Sequence, residues 1–529
     1  MARKLPPGLT EKQFTKAVAG FRGAVGTEHV LTDEIAELPG YHDPCAIFDA
    51  DHFAPSAAVL PGSVQDVQEI VRIAGEFGVP LSPVSTGKNL GYGGAAPRLP
   101  GAVVVDMKRM NRILAVDDRF GYALVEPGVS FFDLHRYLRE HDLEFWVDVP
   151  DLGWGSVLGN TLERGVGYTP YGDHLSIQCG LEVVLADGNV VRTGMGALPG
   201  SKTSQLFRYG FGPLYDAMFT QSNFGIVTKM GVWLMPQPPG YQAYMVTLPR
   251  EEDLGQFVEI LRPLRMNQTI TNVPTLRNLL LDAAAVKPRS FYYDGDGPVP
   301  DSVARKIMAD QQIGSWNFYG AFYGTHDSIV AQESVIRDAF AVIPGARFHL
   351  AGEHDSPVLA TRAKIMAGQP NLETAQVLQW VDNGGHIDFA PVSPATGEDA
   401  MKQYVMVRDR AHEFGKDYLG TFIVGRREMH HICLMMFNAD NPADRQVTYN
   451  LCNLLIEEAA AEGYGVYRAH PALMDHVAAT FSYNDHALMR LSETIKDALD
   501  PAGILAPGKQ GIWPRRLRRK EVGANEGAD

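Results

Sequence analysis

Apolar residues in the first third of the chain follow two different spacings. Between Ser63 and Phe77 they recur every three or four positions, which is the spacing of one helical face, and Ser63 with Asp66 resembles a helix N-cap. An unbroken apolar run at residues 102–105 and a run at residues 122–126 that is apolar up to Glu126 instead predict strands. Strands and helices therefore alternate here, as they do in α/β and α+β proteins.

The pattern changes after a strong breaker of regular structure at residues 236–240, which contain three prolines and a glycine. Beyond it, strand-like pieces alternate with long helices, and residues 447–462 predict the longest of them. We therefore predict a first domain over residues 1–238, a second domain over residues 239–482 and a C-terminal segment over residues 483–529.

Composition and charge exclude several kinds of partner. The chain has 529 residues, of which 45% are hydrophobic, and its net charge of −15 argues against nucleic acid or an anionic membrane. No run of about 18 apolar residues is present, so no transmembrane helix is expected. Four cysteines without Cys-x-x-Cys spacing predict neither a zinc site nor a disulfide framework, and they fit a cytoplasmic setting.

A glycine-rich segment, residues 83–94, follows a short apolar run. It has neither the spacing of a Walker loop nor a G-x-G-x-x-G motif that opens a helix. Small residues let the backbone approach a ligand and direct several N–H groups at one anion. The segment therefore fits a loop that binds a diphosphate, although an ordinary turn would have the same composition.

This loop and seven further segments, spread over nearly the whole chain, occur in the same order as in the vanillyl-alcohol oxidase family of flavoproteins. Together they resemble that family, in particular its oxidases of eugenol and 4-alkylphenols. The resemblance implies an α+β fold. Residues 1–238 and 483–529 would form the FAD-binding domain, and residues 239–482 would form a cap domain with an antiparallel sheet and helices. The segments that carry it are residues 83–94, 126–129, 151–160, 167–174, 221–228, 383–387, 467–470 and 506–509.

The resemblance assigns a set of residues to the cofactor, FAD. Most would form the diphosphate loop and the rest of the FAD channel, although tight packing would also account for the glycines. His386 would bond covalently to the flavin, which requires a neutral imidazole nitrogen as nucleophile; the alternative is a hydrogen-bonded core histidine. The channel residues are Pro83, Ser85, Thr86, Gly87, Lys88, Asn89, Leu90, Gly91, Gly155, Ser156, Gly159, Asn160, Gly225, Ile226 and Lys509.

Four residues are assigned to catalysis by the resemblance. Tyr92, Tyr467 and Arg468 would bind the deprotonated hydroxyl of a phenol, because a permanent cation and two hydroxyl donors favour a phenolate. A structural Tyr–Arg contact is the alternative. Asp151 would lie beside the reactive carbon and stabilise positive charge there, or act as a base; capping of a turn is its ordinary role.

The substrate cavity would be lined by Tyr168, Asp388, Thr421 and Ile423. Asp388 stands where we expect glycine in the eugenol-oxidising relatives, and alternation along a strand predicts that it shares a face with His386. Thr421 replaces an expected glutamine. No metal is expected, because the adjacent histidines in residues 427–431 would point to opposite faces of a strand.

The implied reaction is the oxidation of para-substituted phenols, including 4-alkylphenols, eugenol and vanillyl alcohol. A hydride would leave the benzylic carbon for flavin N5, giving a quinone methide, and O2 would become hydrogen peroxide. One alternative is a dehydrogenase that passes electrons to a cytochrome, but the cresol-oxidising flavocytochromes link FAD through tyrosine, and His386 argues against that variant. A flavin-binding protein without catalysis is the other. The relatives also imply a homodimer or higher homo-oligomer.

Overall fold

The computed structural model describes residues 4–32, 38–49 and 51–518. Its helices are α1 (Glu11–Val25), α2 (Val64–Phe77), α3 (Phe131–Glu140), α4 (Val157–Leu162), α5 (Asp253–Met266), α6 (Leu279–Ala284), α7 (Arg289–Tyr292), α8 (Asp301–Gln311), α9 (His326–Phe340), α10 (Pro357–Met366), α11 (Gly397–Glu413), α12 (Pro442–Ala461), α13 (Met474–Thr480) and α14 (Tyr483–Leu499). Its strands are β1 (Val30–Leu31), β2 (Ala57–Val59), β3 (Leu81–Val84), β4 (Val103–Asp106), β5 (Ile113–Asp117), β6 (Tyr122–Val125), β7 (Phe145–Trp146), β8 (Gln178–Val184), β9 (Val190–Arg192), β10 (Ile226–Trp233), β11 (Met235–Pro236), β12 (Tyr241–Leu248), β13 (Thr275–Asn278), β14 (Trp316–Tyr323), β15 (Arg347–Leu350), β16 (Gly384–Phe389), β17 (Val392–Pro394), β18 (Gly420–Val424) and β19 (Glu428–Asn438).

Two sheets form from the first part of the chain. One has the order β1-β2-β4-β3, with β4 parallel to both of its neighbours, and the other is antiparallel with the order β5-β6-β10-β8-β9. The C-terminal segment adds to the first sheet: the Leu81 N–H donates to the Ile504 carbonyl and the Ala506 N–H donates to the Leu81 carbonyl, both at 2.7 Å. The end of the chain is thus hydrogen-bonded to the strand that precedes the glycine-rich loop.

The largest sheet has the order β15-β12-β14-β13-β18-β19-β16, with β17 paired to β19. Residues paired across antiparallel strands project to the same face, and alternate residues project to opposite faces. One face therefore packs Phe318, Phe422 and Phe437 into the main core with α5, α9, α11 and α12. The opposite face carries His386 and Thr421, among other polar side chains.

The α+β fold expected from the sequence is confirmed. The helix expected at residues 63–77 is α2, and the Ser63 hydroxyl accepts from the Asp66 N–H at its start. The longest helix of the described residues is α12, as expected. No helix in the described ranges is long and apolar enough to cross a membrane. The domain boundaries after residues 238 and 482 stay predictions.

Candidate active site

The glycine-rich loop leaves the end of β3 and lines an open cleft. Gly87 and Gly91 have φ angles of 67° and 75°, which residues with a Cβ rarely adopt. Within the described ranges, none of the backbone N–H groups from Ser85 to Gly91 donates a hydrogen bond to a protein acceptor. A row of N–H groups at the wall of a cleft can bind an anion such as a diphosphate without using a cationic side chain.

The cleft brings most of the residues assigned to the cofactor together. Leu90 is an exception, because its side chain packs against the main core. Gly91 faces His386 instead: a Cβ on Gly91 would lie 2.7 Å from His386 Nε2. The assigned residues that line the cleft are Pro83, Ser85, Thr86, Gly87, Lys88, Asn89, Gly155, Ser156, Gly159, Asn160, Gly225, Ile226 and Lys509, with Tyr92 and Arg468 among the other lining residues.

Several of these side chains already have protein partners. The Ser156 hydroxyl donates to the Pro127 carbonyl at 2.6 Å and accepts from the Gly159 N–H at 3.0 Å. Lys509 Nζ lies 2.6 Å from a carboxylate oxygen of Glu163. Burial would raise the pKa of Glu163, but Lys509 and Arg468 outweigh it, and the net effect is a lowered pKa. The negative charge of a diphosphate would therefore meet mainly backbone N–H groups.

His386 and Asp388 lie on one face of β16, as alternation predicted. Both are 8% exposed, and His386 Nε2 is 3.5 Å from Asp388 Oδ1. Burial alone would lower the pKa of His386, but the Asp388 carboxylate and the Cys45 thiol raise it to about 9. Burial also raises the pKa of Asp388, and the nearby cations offset only part of that effect.

Tyr92, Tyr467 and Arg468 form a single buried cluster. The Arg468 guanidinium lies 4.0 Å from the centroid of the Tyr92 ring, donates to Asn89 Oδ1 at 2.9 Å and is within hydrogen-bonding reach of the Tyr467 hydroxyl. The Tyr92 hydroxyl is within reach of the Asp388 carboxylate. Burial raises the pKa of both tyrosines although Arg468 opposes it. The cluster therefore offers neutral hydroxyl donors around one permanent cation.

Asp151 is held from two sides and does not cap a turn. The Tyr168 hydroxyl donates to one carboxylate oxygen at 2.5 Å, and the Arg362 guanidinium donates to the other. Arg362 also stacks on the Tyr168 ring at 3.9 Å. The side chain of Asp151 is 35% exposed whereas that of Arg362 is only 3% exposed. The carboxylate is thus oriented by a buried cation and remains accessible.

The ion pair of Arg362 and Asp151 is next to a buried polar network that was not predicted from the sequence. Arg277 Nε donates to one carboxylate oxygen of Asp282 at 2.5 Å, and the Tyr319 hydroxyl donates to the other at 2.8 Å. Arg362 acts electrostatically on Asp282 as well, so its charge serves two carboxylates. Arg277 and Asp282 are five residues apart, whereas Tyr319, Arg362 and Asp151 come from distant parts of the chain, and no local pattern marks them as partners.

The other residues assigned to the cavity share the polar face of the large sheet. Thr421 pairs with Arg277 and Ile423 with Thr275, so both project to the face that carries His386. The adjacent histidines of β19 separate as predicted. His430 lies 4.6 Å from the Tyr467 ring, whereas His431 is buried in the main core against Phe422. In the described residues, no group of three or more metal-ligating side chains is present.

The geometry fits a flavoprotein: an open cleft lined by the glycine-rich loop leads to His386, Asp388 and the cluster of Tyr92, Tyr467 and Arg468. Comparison with known proteins gives the same class. Residues 55–194 match the FAD binding domain family, and residues 348–510 match the C-terminal domain of FAD linked oxidases. The chain belongs to the vanillyl-alcohol oxidase/p-cresol methylhydroxylase family of FAD-linked oxidoreductases, which confirms the family and the kind of enzyme predicted from its sequence.

Three relatives span almost the whole chain. The flavoprotein subunit of 4-cresol dehydrogenase (hydroxylating) from Pseudomonas putida is 41% identical over 96% of this chain and 97% of its own length. The structure of 4-ethylphenol oxidase from Gulosibacter chungangensis, in complex with isoeugenol, has a TM-score of 0.95 and 45% identity, and covers 97% of this chain and 100% of that one. Substrate-bound p-cresol methylhydroxylase has a TM-score of 0.94 and 40% identity, covering 96% and 99%.

Proposed function

We propose that this protein oxidises para-alkylated phenols at the benzylic carbon and passes the electrons to dioxygen, giving hydrogen peroxide. The observation that carries the proposal is the cluster of Tyr92, Tyr467 and Arg468 beside the cradle of N–H groups. Arg468 stays charged at every working pH, and the two hydroxyls add directional donors. Such a pocket binds a phenolate more tightly than the neutral phenol and lowers the pKa of the bound phenol.

Asp151 acts at the other end of the substrate. A phenolate releases electron density toward its para carbon, so removal of a benzylic hydride leaves a quinone methide whose benzylic carbon is electron-poor. The chemistry that bound FAD supplies is acceptance of that hydride and delivery of the electrons to dioxygen. Asp151, oriented by Tyr168 and Arg362, stabilises the developing positive charge and can take a proton from a water molecule that adds to the carbon.

We further propose that His386 attaches the flavin covalently. The fit is supported by its position at the Gly91 end of the loop, where the glycine leaves room that a Cβ would fill. The attacking nitrogen must be unprotonated. A histidine link favours an oxidase, because the cresol-oxidising flavocytochromes of this family link the flavin through tyrosine. Thr421 and Ile423 would shape the wall against which the para substituent packs.

A dehydrogenase is the second candidate. It is favoured by the 41% identity to the flavoprotein subunit of 4-cresol dehydrogenase, which is close to the identity with 4-ethylphenol oxidase. The two candidates share the phenolate cluster and differ in the electron acceptor.

The test is a comparison of acceptors with the FAD-loaded protein. 4-Ethylphenol, 4-propylguaiacol, eugenol and vanillyl alcohol are each supplied in air with measurement of hydrogen peroxide, and without oxygen in the presence of cytochrome c or a dye. We expect one peroxide per substrate oxidised. Turnover with cytochrome c or the dye but not with oxygen would identify a dehydrogenase. Absence of turnover with any of these acceptors would overturn phenol oxidation.

A further inference from the structure

Asp388 is a buried carboxylate with an incomplete set of partners. It is 8% exposed, and its Oδ1 has no hydrogen-bond partner in the described residues, although His386 Nε2 lies 3.5 Å away. The Tyr92 hydroxyl is within hydrogen-bonding reach of the carboxylate. Buried carboxylates are normally paired or fully hydrogen-bonded, so this arrangement calls for a functional explanation.

The charged and titratable groups around Asp388 come from five parts of the fold. His386 is on the same strand, Tyr92 is on the glycine-rich loop, and Tyr467, Arg468 and His470 are on the segment after α12. Burial raises the pKa of the thiols of Cys433 in β19 and Cys452 in α12, and the charge of Asp388 raises both further. Arg468 is the permanent cation of this set.

The balance of charge changes when a phenolate binds. Arg468 acts electrostatically on both Glu163 and Asp388 in the ligand-free pocket, and Glu163 is in addition paired with Lys509. His386 is the other cation beside Asp388, and it gives up its proton if it bonds to the flavin, as the proposed function requires. A bound phenolate would then place a second anion near Arg468. Two buried anions beside one cation are unfavourable unless one takes up a proton.

We propose that Asp388 is the proton acceptor for the substrate phenol, acting through the hydroxyl of Tyr92. The inference rests on the proposed function, because it takes the cluster to be the phenolate pocket. It assigns the carboxylate that replaces the expected glycine to one step, ionisation of the phenol, and leaves the benzylic carbon to Asp151. Asp388 is thus a positioning and proton-storing residue that need not touch the substrate.

The step balances without any other reactant. The phenol O–H bond breaks as its proton moves to the Tyr92 oxygen, and the original Tyr92 O–H bond breaks as that proton moves to the Asp388 carboxylate. One O–H bond forms at each acceptor. One negative charge disappears from Asp388 and one appears on the substrate oxygen, so the net charge of the pocket is unchanged and no electrons are transferred.

The proton balance of binding distinguishes this step from simple release of the proton to water. 4-Nitrophenol is a suitable probe because it has no benzylic hydrogen and its phenolate is yellow. If Asp388 stores the proton, the FAD-loaded protein binds 4-nitrophenol as a phenolate with no net proton release, and its Kd changes little with pH below the probe's own pKa. With Asp388→Asn, one proton is released, and the Kd should fall about tenfold for each unit rise in pH.

The variants include a rescue and a control. Asp388→Glu restores a carboxylate and should restore the flat pH profile. Asp399→Asn removes a carboxylate that accepts from the Tyr464 hydroxyl at 2.7 Å, outside the site, and should leave the profile flat. A pH indicator in weak buffer also counts protons released by the parent protein alone, so the result does not depend on the folding of Asp388→Asn.

Each outcome bears on one proposal. Yellow bound probe with release of far less than one proton from the parent, and of one proton from Asp388→Asn, supports the inference. Yellow bound probe with equal proton release from both, or with one proton released by the parent, overturns the role of Asp388 and leaves the phenolate pocket intact. Absence of the yellow bound form in the parent overturns the pocket itself, and with it the proposed function.

Discussion

The guanidinium of Arg468 stacks 4.0 Å from the ring centroid of Tyr92. The two residues come from distant parts of the chain, and Tyr92 follows directly on the loop whose N–H groups face the cleft. The glycine-rich segment therefore has two parts: residues 85–91 would hold the diphosphate, and residue 92 joins the cluster that would bind the substrate oxygen. Cofactor binding and substrate binding should be separable by mutation.

Replacement of Tyr92 by phenylalanine should lower phenol oxidation while FAD stays bound. The change removes one hydroxyl donor to the phenolate and leaves the N–H groups of the loop in place. A hydrogen bond to a charged group contributes about 1.5–3 kcal/mol, so kcat/KM should fall about 10- to 100-fold. Steady-state kinetics and the flavin spectrum measure the two effects.

Tyr464→Phe is the matched control for this change. Tyr464 also donates to a carboxylate, Asp399, at 2.7 Å, but it lies outside the site. Its kcat/KM should stay within about twofold of the parent, an effect smaller than about 0.5 kcal/mol. If Tyr92→Phe and Tyr464→Phe oxidise phenols equally well, Tyr92 does not bind the substrate oxygen.

Some parts of the site follow from local sequence and others do not. His386 and Asp388 could be placed on one face because strand alternation has a period of two, and the left-handed glycines of the loop follow from its composition. The partner of Asp151 could not be found in this way. Arg362 lies on α10, where an arginine ordinarily faces solvent, and it is buried only because α10 packs across β12 and β14.

The contacts around His386, the residue proposed to bond covalently to the flavin, could not be predicted from local sequence either. Asp43 accepts from His470 Nε2 at 2.6 Å, and the neighbouring Cys45 thiol lies beside His386. These contacts join an N-terminal loop to β16 and to the segment after α12, and the residues belong to no spaced motif. Long-range ion pairs of this kind depend on the tertiary arrangement, which one sequence does not encode as a local pattern.

Replacement of His386 by asparagine should release the flavin on acid precipitation. In the parent, the yellow colour should stay with the precipitated protein, because a covalent bond survives unfolding. His476→Ala, which removes a partly exposed histidine that pairs with Asn453, should behave like the parent. Release of the flavin from the parent protein would show that His386 does not form the bond.

Covalent attachment should accelerate as the pH rises. Asp388 and Cys45 hold the pKa of His386 near 9, above its unfolded value, so the imidazole of the folded apoprotein is mostly protonated at neutral pH and cannot attack. The interaction of protonated His386 with Asp388 and Cys45 also stabilises the fold. This contribution is fully present below the pKa of His386 in the unfolded chain, and it is lost as the pH rises through about 9.

The measurement follows bound flavin over time after FAD is added to apoprotein at several pH values. The initial rate should rise about tenfold per pH unit until it levels off near pH 9. Asp388→Asn removes the largest of the interactions that raise the pKa of His386 against the effect of burial, so the rate should level off at a lower pH. A rate that is independent of pH in the parent would contradict the protonated state assigned to His386.

Replacement of Arg362 by methionine should destabilise the fold strongly. Methionine fills similar space but removes a cation whose side chain is 3% exposed and which serves Asp151 and Asp282. Burial would lower the pKa of this guanidinium, but Asp151 and Tyr168 raise it, which reflects a favourable interaction with the folded site. Loss of one partner from a buried charge pair typically removes about 3–5 kcal/mol from the free energy of unfolding.

Urea unfolding of the FAD-loaded proteins measures this effect, with Arg72→Met as the control. Arg72 pairs with Glu69 on the surface, where its side chain is 62% exposed, and such pairs contribute about 0–1 kcal/mol. The unfolding midpoint of Arg362→Met should therefore fall well below that of Arg72→Met. Equal midpoints would mean that the two carboxylates find other partners, and that Arg362 does not hold Asp151 in its orientation.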